Sequence, residues 1–132
     1  MNYWMVKSEP SSYSWEDFVA KKEDVWDGVR NYQARNFLRA MQLGDLVLFY
    51  HSGKDKAVVG IAEVSEENFP DPKDKDWLAV KLKVNSTLKN PVSLQAIKSE
   101  DALSDMLMLR QSRLSVMSLE KAEFELILKM GS

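Results

Sequence analysis

Short hydrophobic runs between turn-forming residues predict five β-strands. They cover residues 3–7, 46–50, 57–64, 78–84 and 113–116. The first run stops before Pro10, because proline has no N–H to donate to a sheet. The second and third predict a buried hairpin. The fourth alternates as a half-buried strand does, after a predicted loop that contains Pro70 and Pro72.

Four segments carry the capping and spacing signals of helices, namely residues 14–18, 31–41, 93–97 and 118–130. In the second, Asn31 can cap the first turn and Gly44 follows the end. In the last, Ser118 is the expected cap and Gly131 the expected end. Strands with helices inserted among them predict one α+β domain over residues 1–132, built on a curved sheet or a small barrel.

Composition and charge narrow the possible functions. The chain has 132 residues, is 45% hydrophobic and carries a formal net charge of -2, so any affinity for nucleic acid must be local. It has no cysteine and one histidine, so we expect no disulfide, thiolate nucleophile or metal site. We also expect no cofactor, no membrane span and no secretion signal, and therefore a cytoplasmic protein.

An aromatic residue precedes a flexible turn between Trp26 and Asn31. An indole face can stack on a nucleobase for about 1–3 kcal/mol. Gly28 would let a ligand approach the backbone closely. The alternative is a tryptophan that packs in the core, and these residues alone leave both interpretations open.

Cations and a hydroxyl group cluster near predicted strand and helix ends. Lys7 can contact a phosphate and Ser8 a polar edge. Five arginines complete this set, Arg30, Arg35 and Arg39 near the second helix and Arg110 and Arg113 before the last strand. We interpret them as candidate phosphate contacts, with ordinary surface ion pairs as the alternative.

Tyr50, His51 and Ser52 end the strand predicted at residues 46–50. Adjacent residues on a strand point to opposite faces, so a histidine next to a serine does not form a nucleophile and base pair. The Gly-x-Ser-x-Gly elbow of many hydrolases is also missing. We predict no catalytic residue, and a His51 that either hydrogen bonds a turn or contacts a ligand.

Several longer strings resemble the EVE domain family, which includes the thymocyte nuclear protein group and small bacterial proteins. They are YWMVKSEP from Tyr3, WDGVRNYQARN from Trp26, FYHS from Phe49, VVGIA from Val58 and RQSRLSV from Arg110. The match runs in order over nearly the whole chain. It implies a PUA-like fold, which is a bent barrel or curved mixed sheet with peripheral helices.

The family is similar to YTH domains, which bind methylated adenine of RNA in an aromatic cage. The resemblance implies Trp26 as a wall, Ser8 and Asn31 at the base edge, and Tyr32, Tyr50, His51, Ser52 and Trp77 as further pocket candidates. We expect a non-catalytic module that binds DNA or RNA and accommodates one flipped, modified base, such as a modified cytosine.

Two other functions remain open. The same pocket could serve a small metabolite or a peptide. Less favoured is a nucleobase-directed enzyme, for which Glu9 is the one attractive acid and no deaminase signature is present. Phosphate contacts would make binding weaken with salt, whereas capture of a neutral nucleoside would hardly respond.

Overall fold

Most of the strands and helices form where hydrophobic runs and capping residues predict them. In the computed structural model, which describes residues 1–132, the elements are β1 (Tyr3–Ser8), α1 (Trp15–Lys21), β2 (Glu23–Trp26), α2 (Tyr32–Ala40), β3 (Leu46–His51), β4 (Ala57–Asp71), β5 (Asp74–Ser93), α3 (Leu94–Lys98), α4 (Leu107–Arg110), β6 (Val116–Leu119) and α5 (Lys121–Met130). A 3-10 turn at Asp101–Leu103 lies between α3 and α4. None of the helices is long and apolar enough to span a lipid bilayer.

The six strands form one mixed sheet in the order β2-β5-β4-β3-β1-β6. β1 and β3 are parallel, and every other neighbouring pair is antiparallel. β2 and β6 lie at opposite edges and do not pair, so the sheet is open. The predicted α+β class is confirmed, in the form of an open sheet with peripheral helices.

Aromatic side chains fill the core on one side of the sheet. The rings of Phe18 and Phe49 are stacked with centroids 5.5 Å apart. Trp15 packs edge-on against Phe49 at 5.1 Å. Its indole also covers Gly60, where a Cβ atom would lie only 2.2 Å from the ring. This approach fixes helix α1 against strand β4, because only glycine leaves room for the indole.

The predicted loop around Pro70 and Pro72 is wrong. β4 continues to Asp71 and β5 begins at Asp74, so Pro70 lies within a strand opposite Leu78. Several register shifts interrupt this pairing, and such irregularities accommodate a residue that has no N–H to donate. Pro72 occupies the tight turn between the strands, a position that its fixed φ angle suits.

Two other boundaries differ from the sequence prediction. The strand expected at residues 113–116 lies instead at Val116–Leu119, so Ser118 is inside β6 and does not cap a helix. Helix α5 is capped by Glu120, whose side chain and that of Glu123 form a capping box. Strand β2 was not predicted, because its four residues include two acids and its burial is only partial.

Candidate functional site

A cleft of about 720 Å³ opens where the end of β1, the segment before α1 and the end of β2 meet. Its fifteen lining residues are Lys7, Ser8, Glu9, Ser12, Tyr13, Lys21, Asp24, Val25, Trp26, Asp27, Gly28, Val29, Arg30, Lys73 and Ser115, of which four are hydrophobic. This volume is in the range of small-molecule and nucleotide sites. Four of the predicted binding residues therefore lie together here, namely Lys7, Ser8, Trp26 and Arg30.

Trp26 belongs both to the core and to the cleft wall. Its indole packs edge-on against Phe49 at 5.5 Å, Tyr13 at 6.2 Å and Phe18 at 6.5 Å. The residue is half-buried and also lines the cleft. Trp26 therefore packs against the core and also lines the cleft, and its stacking on a base stays a prediction.

Tyr13 and Asp24 form a polar pair beside Trp26 that sequence reasoning missed. The Tyr13 hydroxyl donates to Asp24 Oδ2 at 2.6 Å, and the Lys21 ammonium lies 3.2 Å from the same oxygen. Burial would raise the pKa of Asp24, but the hydrogen bonds from Tyr13 and Lys21 outweigh it and hold that pKa below its usual range. Burial and the hydrogen bond to Asp24 raise the pKa of Tyr13. The cleft thus contains an ionised acceptor next to its aromatic wall.

Ser8 and Lys7 lie at the end of β1, as predicted, and both already have partners in the protein. The Ser8 hydroxyl donates to the backbone oxygen of Tyr13, so it presents only acceptor lone pairs to the cleft. Lys7 Nζ donates to the backbone oxygen of Ser112 at 2.9 Å and lies 5.8 Å from the centre of the Tyr50 ring. Burial lowers the pKa of Lys7.

The buried carboxylate of Asp71 accepts hydrogen bonds from three residues that line the cleft. The side chain of Asp71 is fully buried and accepts from Gly28 N at 2.9 Å, Arg30 Nη1 at 3.0 Å and Lys73 N at 2.7 Å. Burial alone would raise the pKa of Asp71, but these three donors lower it to about 2. Gly28 takes a φ of 78°, which favours glycine. Asp71 therefore ties the tip of the β4–β5 hairpin to the turn behind Trp26.

A second, smaller cleft of about 360 Å³ adjoins the first. It is lined by Asn31, Arg110, Gln111, Ser112, Arg113 and Leu114, with no carboxylate among them. Neither Arg110 nor Arg113 forms an ion pair. Because Lys7 donates to Ser112, the two clefts are connected through one ammonium group. The structure thus places Arg110 and Arg113 together in a cleft next to the larger one.

Asn31 lines the smaller cleft, apart from Trp26. Its side-chain oxygen accepts from Ala34 N at 2.9 Å, so it caps α2 as the sequence predicted. Its amide nitrogen makes no hydrogen bond within the protein. The role at a base edge that the resemblance implied for Asn31 stays a prediction.

Tyr50, His51 and Ser52 do not line either cleft. Both nitrogens of the buried His51 ring have partners, since Nε2 accepts from Trp15 N at 2.9 Å and Nδ1 lies 3.1 Å from Asp55 Oδ2. Trp15 N is the first amide of α1, so His51 supports the start of that helix. Ser52 N donates to the backbone oxygen of Ser8, extending the pairing of β1 and β3.

The remaining candidates lie on α2 and near the tip of the β4–β5 hairpin, outside both clefts. Tyr32 and Trp77 stack on each other with centroids 5.2 Å apart. Arg35 lies beside both rings and donates to the backbone oxygen of Asp76 at 3.1 Å. Arg39 donates to Asn36 Oδ1 at 2.7 Å on the solvent side of α2.

The larger cleft is lined by both acidic and basic side chains, together with two aromatic residues. The acids are Glu9, Asp24 and Asp27, the cations are Lys7, Lys21, Arg30 and Lys73, and the aromatic residues are Tyr13 and Trp26. No three His, Asp or Glu side chains are placed together to hold a metal ion. A cleft with such a lining suits a planar, polar ligand.

The open mixed sheet and the aromatic cleft at one end of β1 define a protein of the PUA-like class. The YTH domain of the Zygosaccharomyces rouxii MRB1 protein, solved with N6-methyladenosine RNA, shares this fold, with a TM-score of 0.64 at 18% identity over 98% of this chain and 83% of that one. The sequence model of the EVE domain matches residues 2–130. The chain belongs to the EVE domain family.

Relatives in vertebrates share the domain over its whole length. Thymocyte nuclear protein 1 of Mus musculus is 36% identical over 165 aligned residues, which cover 98% of this chain and 73% of the mouse protein. The crystal structure of human THYN1 in complex with DNA that contains 5-methylcytosine superposes with a TM-score of 0.94 at 31% identity, covering 100% of this chain and 98% of that one. The resemblance to the EVE family inferred from the sequence strings is thereby confirmed.

Proposed function

We propose that this protein is a non-catalytic nucleic-acid-binding module whose larger cleft receives one flipped, modified base, with 5-methylcytosine as the first candidate. The observation that carries the proposal is the position of Trp26, which faces a cleft of nucleotide size while its other edges pack against three aromatic rings. A ring that is fixed before binding loses little freedom when a base stacks on it. The human relative crystallised with DNA containing 5-methylcytosine supports the choice of base.

The hydrogen-bonding groups around Trp26 favour a base with an exocyclic amine. Asp24 is held in its ionised form and can only accept, and the Ser8 hydroxyl has already donated its hydrogen. Cytosine and adenine each present an amine donor on the edge that a flipped base exposes, whereas thymine presents a carbonyl oxygen at the equivalent position. We infer that the cleft favours cytosine and adenine over thymine and uracil where the base edge meets Asp24 and Ser8, since a carbonyl oxygen there would face these two acceptors.

The smaller cleft is suited to the phosphates that follow the base. Arg110 and Arg113 lie together without a carboxylate, and Lys7 connects them to the base cleft. Since the chain carries a formal net charge of -2, such a local group of cations is required for any salt-dependent binding. We propose that these residues contact the backbone, while Arg39 contributes less because it lies on the solvent side of α2.

The test is a titration of single-stranded DNA of about 12 nucleotides that carries one central 5-methylcytosine, with cytosine and thymine versions as comparisons. Fluorescence anisotropy at about 50 and 200 mM salt measures affinity and its salt slope. We expect the methylated strand to bind best, and Trp26→Ala to lower its affinity by about 1–3 kcal/mol.

Because Trp26 also packs in the core, Trp26→Phe is the matched variant, and thermal unfolding must show both variants folded. Phenylalanine keeps a stacking face, so its affinity should fall less than that of the alanine variant. Equal binding of all three strands, or an unchanged affinity in folded Trp26→Ala, would remove the base-reading role of the cleft. Binding of free 5-methyl-2′-deoxycytidine without any oligonucleotide binding would indicate a nucleoside-binding protein instead.

A further inference from the structure

An exposed aromatic stack lies next to the base cleft and has no role within it. We define this aromatic stack as Tyr32, at the first position of α2, and Trp77, near the tip of the β4–β5 hairpin. Their rings are 5.2 Å apart and tilted by 27°. Tyr32 is 68% exposed, and it is the one strongly exposed aromatic residue of the chain. Single exposed apolar residues are common on protein surfaces, but Tyr32 belongs to a stack of two rings, and a contiguous exposed patch of this kind can serve as an interaction site.

The Arg35 guanidinium does not cover the outer face of Tyr32, and Tyr32 is 68% exposed. The Arg35 guanidinium lies 4.9 Å from the Tyr32 centroid and 5.3 Å from the Trp77 centroid. With the two rings 5.2 Å apart, these three separations form a nearly equilateral triangle, so Arg35 sits beside the stack. A cation on the outer face of Tyr32 would be about twice as far from Trp77 as from Tyr32, given the spacing of stacked layers. A third planar group can therefore extend the stack.

The aromatic stack is continuous with the base cleft through one side chain. Arg30 lines the cleft, pairs with the buried Asp71 and also lies 5.6 Å from the centre of the Trp77 ring. Two guanidinium groups thus flank the stacked rings. Planar rings bordered by cations are the combination that binds a base together with its phosphate.

We propose that the outer face of Tyr32 stacks on an unpaired nucleobase that neighbours the base held in the cleft. This inference rests on the proposed function. It assigns to the aromatic stack a second contact with the strand, one that does not depend on which base is present. The cleft selects the base, and the aromatic stack adds affinity for the strand that carries it. A free nucleoside would occupy the cleft alone and would not sense Tyr32.

The experiment compares wild type, Tyr32→Ala and Tyr32→Phe on three probes. The first is a single strand of about 12 nucleotides with one 5-methylcytosine between two adenines. The second is the same strand with both neighbouring nucleotides made abasic, and the third is free 5-methyl-2′-deoxycytidine. Leu43→Ala is the control for exposure, because Leu43 is 67% exposed and carries no aromatic ring.

We expect Tyr32→Ala to bind the first strand about 5- to 150-fold more weakly than wild type, and Tyr32→Phe and Leu43→Ala to stay within about 2-fold of it. On the abasic strand and the free nucleoside, Tyr32→Ala and wild type should agree. Thermal unfolding and sedimentation of each variant establish that the fold and the oligomeric state are unchanged. Because Tyr32 is exposed and Asn31 supplies the helix cap, the alanine variant keeps the interactions that fold α2.

Three results would overturn the proposal in recognisably different ways. If the first strand binds in a Trp26-dependent manner but Tyr32→Ala leaves its affinity unchanged, the stacking role fails and the proposed function stands. If no strand binds to wild type, both fail together. If Tyr32→Ala instead changes the sedimentation of the free protein and not its affinity for DNA, the exposed ring serves contact between two copies of the chain.

Discussion

The buried carboxylate of Asp71 gives a stability prediction with a worked magnitude. Its pKa lies at about 2, compared with an ordinary value of 3.8. At about 1.36 kcal/mol for each pKa unit, this difference amounts to about 2.4 kcal/mol. The side chain of Asp71 is fully buried, whereas that of Arg30 is 37% exposed, so solvent screens part of their ion pair and this energy is an upper value. Replacing it by asparagine, Asp71→Asn, removes the charge but keeps the size and one acceptor oxygen.

The sign of the pH dependence follows from a folded-state pKa that is lower than the unfolded one. The stabilisation is fully present above the unfolded value of 3.8 and is lost as the pH falls towards the folded value of about 2. Near pH 3 about half of it remains, roughly 1.3 kcal/mol. Asp71→Asn should therefore be less stable than wild type by up to about 2.4 kcal/mol near pH 7, and by about half as much near pH 3.

Urea denaturation at the two pH values measures these differences. Asp105→Asn is the matched control, because Asp105 is exposed, and it should change stability by less than about 0.5 kcal/mol. If Asp71→Asn is as stable as wild type, or if its deficit is the same near pH 3 as near pH 7, then the charge of Asp71 does not hold the hairpin tip to the Gly28 turn.

Two further predictions concern the core and the smaller cleft. Gly60→Ala should lower the free energy of unfolding, measured in denaturant, by about 1–3 kcal/mol, because its Cβ would lie 2.2 Å from the Trp15 ring. Adding Trp15→Phe should recover part of this loss, and purely additive effects of the two substitutions would contradict the packing argument. The double variant Arg110→Ala with Arg113→Ala should reduce the slope of log affinity against log salt by about 1–2, as measured by fluorescence anisotropy on the methylated strand. A slope equal to that of wild type would exclude both arginines from the phosphate contacts.

The sequence predicted best those features of the fold that depend on residues close together in the chain. Asn31 and Ser14 cap α2 and α1 as their types and positions suggested, because a cap depends only on residues within one turn. The hydrophobic runs of β3 and β4 were likewise recognisable. The continuation of β4 through Pro70 was not, since it depends on register shifts against a partner strand.

The same distinction applies to the candidate site, since some of its residues could be predicted from the sequence and others could not. Lys7, Ser8, Trp26 and Arg30 could be proposed from the sequence, because each stands in a string that is typical of the family. Asp71 could not, since it lies 43 residues from Gly28 and becomes a ligand of that turn only when the hairpin folds back. Tyr13 precedes helix α1 and Asp24 follows it. No sequence pattern predicts a hydrogen bond between two residues on opposite sides of a helix.

The position of β1 in the sheet affects the order in which the chain can fold. β1 lies between β3 and β6, so Tyr3 is paired with Leu119, which is close to the other end of the sequence. During synthesis β1 can pair with β3 early, but its other edge stays open until β6 leaves the ribosome. An unpaired edge is a template for contact with other chains, so we expect the chain to be most prone to such contact during that interval. Such long-range pairing also raises the contact order, and we expect folding in milliseconds to seconds, not microseconds.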